Sequence, residues 1–181
     1  GVESMIPLLG PIDCGIVGEP TRLEMAVAER GLMVVDCMAR GRSGHAAREE
    51  GDNAIMIALE DIAWVKKYEF PEISDWLGKV KMTPTMIKAG TQHNVIPDEC
   101  SFVLDIRSTD LYSNDEILSV LEKHMKSEIR ARSTRLQPSF IPVDHPLIRV
   151  AKELNIPLTG SMPLSDQALM PFPTVKIGPG D

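Results

Sequence analysis

Residues 100–107 read Cys-Ser-Phe-Val-Leu-Asp-Ile-Arg. Cys100, Phe102, Leu104 and Ile106 alternate with Ser101, Val103, Asp105 and Arg107, a period of two that sends the two sets to opposite faces of a strand. One face is wholly apolar, while the other ends in Asp105 and Arg107. That pattern fits a sheet with a core on one side.

The neighbouring segments extend this strand into a unit. Upstream, Gly90 to Asp98 reads as a loop, and Lys79 to Ala89 as a strand that Pro84 confines to an edge. A helix is predicted from about Asn53 to Tyr68, with Asp52 or Asn53 as its cap and Ile55, Ala58, Leu59, Ile62 and Ala63 on one side. Before it lies a β-like stretch from Leu23 to Ala39, in which Met33, Val35, Cys37 and Ala39 alternate. Downstream, a helix starts near Ser113 with Glu116 placed for a capping box, and Ile117, Val120, Leu121, His124 and Met125 share its apolar side. Arg135 to Val143 is the expected last strand. The order is β-α-β-β-α-β, the ferredoxin-like split unit, in which two helices cover one face of an antiparallel sheet. The fold class is therefore α+β.

The flanks differ in style. Ile12 to Val17 is a buried strand that stops at Gly18-Glu19-Pro20. Pro146 to Leu154 forms a helix, and Thr174 to Ile177 a strand before a Gly-Pro-Gly turn. The expected division is residues 1–21, 22–143 and 144–181, with the outer two belonging to a different domain that receives the split unit as an insert. Gly1 in place of a starting Met fits a piece of a longer chain.

With 181 residues, 43% hydrophobic and 25% charged, the chain can bury a real core. A net charge of -7 excludes the phosphate-binding surface that a nucleic-acid role needs. There is no run of 18 apolar residues to span a membrane and no export signal. Cys14, Cys37 and Cys100 have no metal-type spacing and read as small core residues of a reduced, cytosolic protein. No Walker loop, dinucleotide-binding glycine pattern or Gly-x-Ser-x-Gly turn is present.

Three polar stretches carry candidate chemistry. Gly18-Glu19-Pro20-Thr21 sets a carboxylate just past a buried strand, where α/β sheets hold ligands. Glu19 is there either a metal ligand or a solvated turn residue. Gly41-Arg42-Ser43-Gly44-His45-Ala46-Ala47 puts His45 in a mobile, glycine-flanked loop. There it either donates to a developing oxyanion or does nothing. Gly90-Thr91-Gln92-His93-Asn94-Val95-Ile96-Pro97 leads toward Arg107. Asn94 offers a donor and an acceptor, and Arg107 either grips a carboxylate or pairs with Asp105.

Gly-Glu-Pro-Thr, Glu29-Arg30-Gly31, the His45 loop, Asn53-Ala54-Ile55, Asn-Val-Ile-Pro, Leu104-Asp105-Ile106-Arg107, Ser165-Asp166 and Ile177-Gly178-Pro179-Gly180 occur in one order over nearly the whole chain. The set resembles the M20 metallopeptidase family, closest to acetylornithine deacetylase and succinyl-diaminopimelate desuccinylase. That resemblance implies a catalytic α/β domain with two zinc ions, cobalt being the alternative metal. It also implies an inserted ferredoxin-like lid that forms a homodimer, and a small N-acyl amino acid as substrate. It implies that Glu19 is a zinc ligand, that His45 reaches the partner subunit's site to hold the scissile carbonyl, and that Asn94 and Arg107 bind the substrate carboxylate. The family's His-x-Asp motif, bridging aspartate and Glu-Glu pair are absent here, and Leu164 stands where the family often has Thr. The expectation is that this chain binds no zinc and hydrolyses nothing by itself. An aminopeptidase or carboxypeptidase of the same family, or a stand-alone dimeric binding module, remain as alternatives.

Overall fold

The computed structural model describes residues 1–48 and 50–180. Its helices are α1 (Val2–Met5), α2 (Ala54–Lys67), α3 (Asn114–His124) and α4 (Pro146–Glu153). Its strands are β1 (Gly15–Val17), β2 (Met25–Glu29), β3 (Met33–Arg40), β4 (Gly44–His45), β5 (Lys81–Ala89), β6 (Val95–Ile96), β7 (Glu99–Arg107), β8 (Glu128–Ala131), β9 (Ser139–Phe140), β10 (Leu158–Ser161) and β11 (Thr174–Lys176).

The alternating stretch at 100–107 lies in β7, inside an antiparallel sheet ordered β5-β7-β3-β8. With α2 and α3 between the strands in sequence, this is the ferredoxin-like order the sequence predicts. Met33, Val35, Cys37 and Ala39 of β3 face Cys100, Phe102, Leu104 and Ile106 of β7 on the buried side, against Ala54, Ala58, Val65, Ile117 and Leu121 of the helices. Each large side chain removed from water there stabilises the fold by roughly 1.5–3 kcal/mol before entropy is counted. β5 is an edge strand, as Pro84 requires, with a register shift between Pro84 and Met86.

Both helix starts follow their sequence signals. The Asn53 side chain accepts from Ile55 N–H at 2.9 Å, and Ser113 and Glu116 form a reciprocal capping box. The buried face of α2 is rotated from expectation: Leu59 is exposed and Asp61 is buried. Asp61 is held inside because its carboxylate accepts from Lys126 N–H and Ser127 N–H, both at 2.9 Å, and from the Ser127 hydroxyl at 2.5 Å.

Two strand expectations change. Leu23 to Ala39 is not one strand: β2 and β3 belong to different sheets and the chain crosses between them at Arg30-Gly31-Leu32. The last strand of the split unit is β8, not Arg135–Val143. Ile129 and Ala131 alternate inward from β8, whereas Pro138 and Pro142 leave only β9 able to pair, and it pairs with β2.

The second sheet is ordered β1-β11-β2-β10, with β9 also beside β2. Its core is Met25, Val27, Ile141, Ile148, Ala151 and Val175, so residues from both ends of the chain meet there. α4 starts with Pro146, and the His145 ring nitrogen Nδ1 accepts from Leu147 N–H at 3.2 Å, capping the helix. His124, expected on the apolar side of its helix, is exposed and stacks on Trp64 with ring centroids 5.1 Å apart.

Candidate functional site

β1 and β11 are parallel, and both end at the same edge of the five-stranded sheet. Glu19 is exposed just beyond β1 at that edge. The turn around it is knitted to the tail. Thr21 N–H and Leu23 N–H donate to the Gly178 carbonyl at 3.2 and 3.0 Å, and Gly178 N–H donates to the Thr21 hydroxyl at 3.0 Å. Gly178 must lack a side chain, since a Cβ there would lie 2.5 Å from the Glu19 carbonyl oxygen. Arg22 and Leu23 follow with φ of 57° and 63°, a left-handed pair that this network holds in place. Gly18-Glu19-Pro20-Thr21 and Gly178-Pro179-Gly180 are thus one structural element.

Among the described residues no three His, Cys, Asp or Glu side chains gather to hold a metal ion. Glu19 offers one carboxylate where a zinc site needs three or four ligands, so these residues do not fit a complete metal centre.

His45 and Asn94 come together. β4 pairs with β6 in a two-stranded ribbon, His45 opposite Val95, and Ala46 N–H donates to the Asn94 carbonyl at 2.9 Å. His45 is exposed, and its Nδ1 accepts from Ala47 N–H at 3.1 Å. In the neutral ring that contact puts the proton on Nε2, so the outward nitrogen is a donor.

Arg107 lies elsewhere. It ends β7 on the open face, with its side chain one-third exposed. Of its two readings, the pairing with Asp105 is the one observed. Nε and Nη2 donate to the Asp105 carboxylate at 2.7 and 3.1 Å, which occupies one edge of the guanidinium. The Nη1 side of the fork points away from that pair. Lys81 stands directly opposite on β5, adding positive charge to that face. The nine residues of β7 separate Arg107 from the ribbon by about 27 Å. Glu19 lies on the five-stranded sheet. β2 runs antiparallel to β11, carrying the chain from the Glu19 edge to the opposite one before it enters the four-stranded unit. One chain therefore keeps the ribbon of His45 and Asn94 at the opposite end of β7 from Arg107.

Sequence reasoning missed the polar groups buried where the two sheets join. Glu29, Arg30, Asn114 and Lys176 are each at most 4% exposed. Burial, and then the charge of Arg107 nearby, push the Arg30 guanidinium below its ordinary value. The available signal was a Glu-Arg pair interrupting an apolar stretch just before a glycine.

Comparison with known proteins follows the same division. The family profile of a peptidase dimerisation domain matches residues 27–132. An uncharacterised metallohydrolase of Methanocaldococcus jannaschii is 33% identical over 63% of this chain and 34% of its own length. A succinyl-diaminopimelate desuccinylase of Sulfurimonas denitrificans is 31% identical over 68% of this chain and 34% of its own length. The chain thus spans about a third of these relatives. A tripeptidase crystal structure from Staphylococcus aureus superposes on 94% of this chain and 50% of its own, with a TM-score of 0.71 at 18% identity.

Proposed function

Because this chain belongs to the M20 family through its peptidase dimerisation domain, we propose that it is the lid and adjoining sheet of a zinc-dependent amidohydrolase acting on an N-acyl amino acid. The desuccinylase relative supports that substrate class. The lid forms a homodimer in this reading. β5 leaves one row of backbone N–H and C=O groups unpaired at the sheet edge, and Met86 and Ile87 are exposed along it. Three free cysteines agree with a reducing cytoplasm.

The observation that carries the proposal is the separation of His45 and Asn94 from Arg107. Groups that far apart on one chain serve one substrate only if two subunits share a site. His45 Nε2–H then donates to the scissile carbonyl oxygen of a substrate in the partner's site, stabilising the charge that develops on it. Asn94 accompanies it, and Arg107, oriented by Asp105, holds a carboxylate through its free donor edge. Glu19 would supply one oxygen to a zinc ion that needs further ligands from outside these residues.

Hydrolysis of N-acetylornithine, N-succinylornithine and N-succinyl-diaminopimelate by the full-length protein with added Zn²⁺ tests this reading. Turnover of one of these, with di- and tripeptides far slower, is the expected result. Preference for peptides would support the alternative, a peptidase, which the fold of the tripeptidase neighbour also suits.

A further inference from the structure

The chain crosses between its two sheets twice, at Arg30-Gly31-Leu32 and again between β8 and β9. At the first crossing, adjacent side chains bind in opposite directions. Glu29 binds within the five-stranded sheet, where its carboxylate accepts from Lys176 Nζ at 2.6 Å and from Ser165 N–H at 2.8 Å. Arg30 binds into the four-stranded unit. Its Nη1 donates to the carbonyls of Lys79 at 3.0 Å and Arg107 at 3.3 Å, and its Nη2 to that of Leu77. Its Nε meets Met162 Sδ, just past β10 in the other sheet, at 3.0 Å.

Those three carbonyls mark the entry to β5 and the end of β7. Arg30, 4% exposed as a residue, therefore reaches from the end of β10 to the strand end that carries Arg107. Charged donors to carbonyl oxygens are among the stronger hydrogen bonds, and the planar fork fixes direction as well as distance. The second crossing packs against the first. A Cβ on Gly31 would collide with the Ser108 hydroxyl and sit 2.7 Å from Pro138 N, and Leu32 N–H donates to the Leu136 carbonyl at 2.9 Å. Asn114 holds the Leu136 carbonyl from the other side at 2.9 Å.

We propose that Arg30 is a positioning residue: it sets the angle at which the lid meets the five-stranded sheet and thereby the place of Arg107 in the site. Arg30 ties the first crossing to the entry of β5 and to the strand end that carries Arg107. Its effect on substrate rests on the carboxylate-binding reading of Arg107; its effect on lid angle does not.

The test uses the full-length dimer with Arg30→Met, which keeps bulk and removes the donors, and Arg30→Lys, which keeps the charge without the fork. Spin labels at Glu122→Cys and Leu154→Cys, in a Cys14→Ser background diluted with unlabelled subunits, report the angle between the sheets. The distance distribution should broaden from wild type through Arg30→Lys to Arg30→Met. KM for the N-acyl amino acid should rise about tenfold in Arg30→Met while kcat changes less, and KM for the same substrate as its carboxamide should not move. If Arg30→Met does not fold, the Arg30→Lys variant carries both readouts. An unchanged distance distribution overturns the proposal. So does a broadened one with unchanged KM, provided that Arg107→Ala does raise KM. If Arg107→Ala leaves KM unchanged, the carboxylate reading of Arg107 fails, and the distances alone decide the role of Arg30.

Discussion

Lys176 Nζ donates to Glu29 Oε2 across 2.6 Å inside the five-stranded sheet, with only 4% and 1% of the two side chains exposed. The same carboxylate accepts from the Ser165 hydroxyl at 2.7 Å, and Lys176 also donates to the Pro163 carbonyl at 3.1 Å. β2, β11 and the segment 163–165 are thus joined through one buried pair.

Removing one member of such a pair strands an uncompensated charge. Glu29→Leu or Lys176→Met alone should lower unfolding free energy by roughly 3–5 kcal/mol, while the double substitution should cost much less than the sum. Denaturant unfolding of all four proteins measures this, and additive losses would show that the two side chains do not act as a pair.

Cysteine reactivity should separate the three thiols. Burial, and then the charges of Asp61 and Asp36, push the Cys37 thiol up to about 12, and burial raises Cys100 as well. Cys14 is only half-buried. In native protein at pH 8 a thiol reagent should modify Cys14 first, with Cys37 and Cys100 reacting only on unfolding. Fast modification of Cys37 in the native state would contradict the packing of β3 against α2.

Acid should weaken two surface contacts. The Arg132 guanidinium hydrogen-bonded to Asp36 lowers that carboxyl, although slight burial opposes it, and the Ser113 N–H and hydroxyl lower Glu116. Both groups bind protons less readily folded than unfolded. Their contribution is therefore complete above about pH 5 and declines as pH falls through the lowered folded values. An Asp36→Asn, Glu116→Gln variant should melt below wild type at pH 7, and the gap should narrow by pH 3. A gap that stays constant would exclude these carboxylates as its source.

The split unit was legible because its signals are local: the alternation at 100–107, Pro84 on an edge, and caps at Asn53 and Ser113. The candidate residues stand in short motifs, while the separation of His45 from Arg107 in one chain follows only from strand register. Where one sheet ends and the other begins was not legible. The crossing at Arg30 depends on backbone carbonyls at 77, 79 and 107, which no side-chain pattern announces. Glu29 and Lys176 lie 147 residues apart, beyond any periodicity. Asp61 displaced Leu59 from the buried face of α2 because tertiary hydrogen bonds outweighed the hydrophobic stripe.

Subunit mixing tests the shared site most directly. Full-length His45→Ala keeps Glu19, and full-length Glu19→Ala keeps His45; each homodimer should be nearly inactive against the N-acyl amino acid. After subunit exchange, half the dimers are mixed and each holds one complete site, so activity should return to about a quarter of wild type. No recovery, with exchange verified by differential labelling, would show that His45 does not act across the dimer.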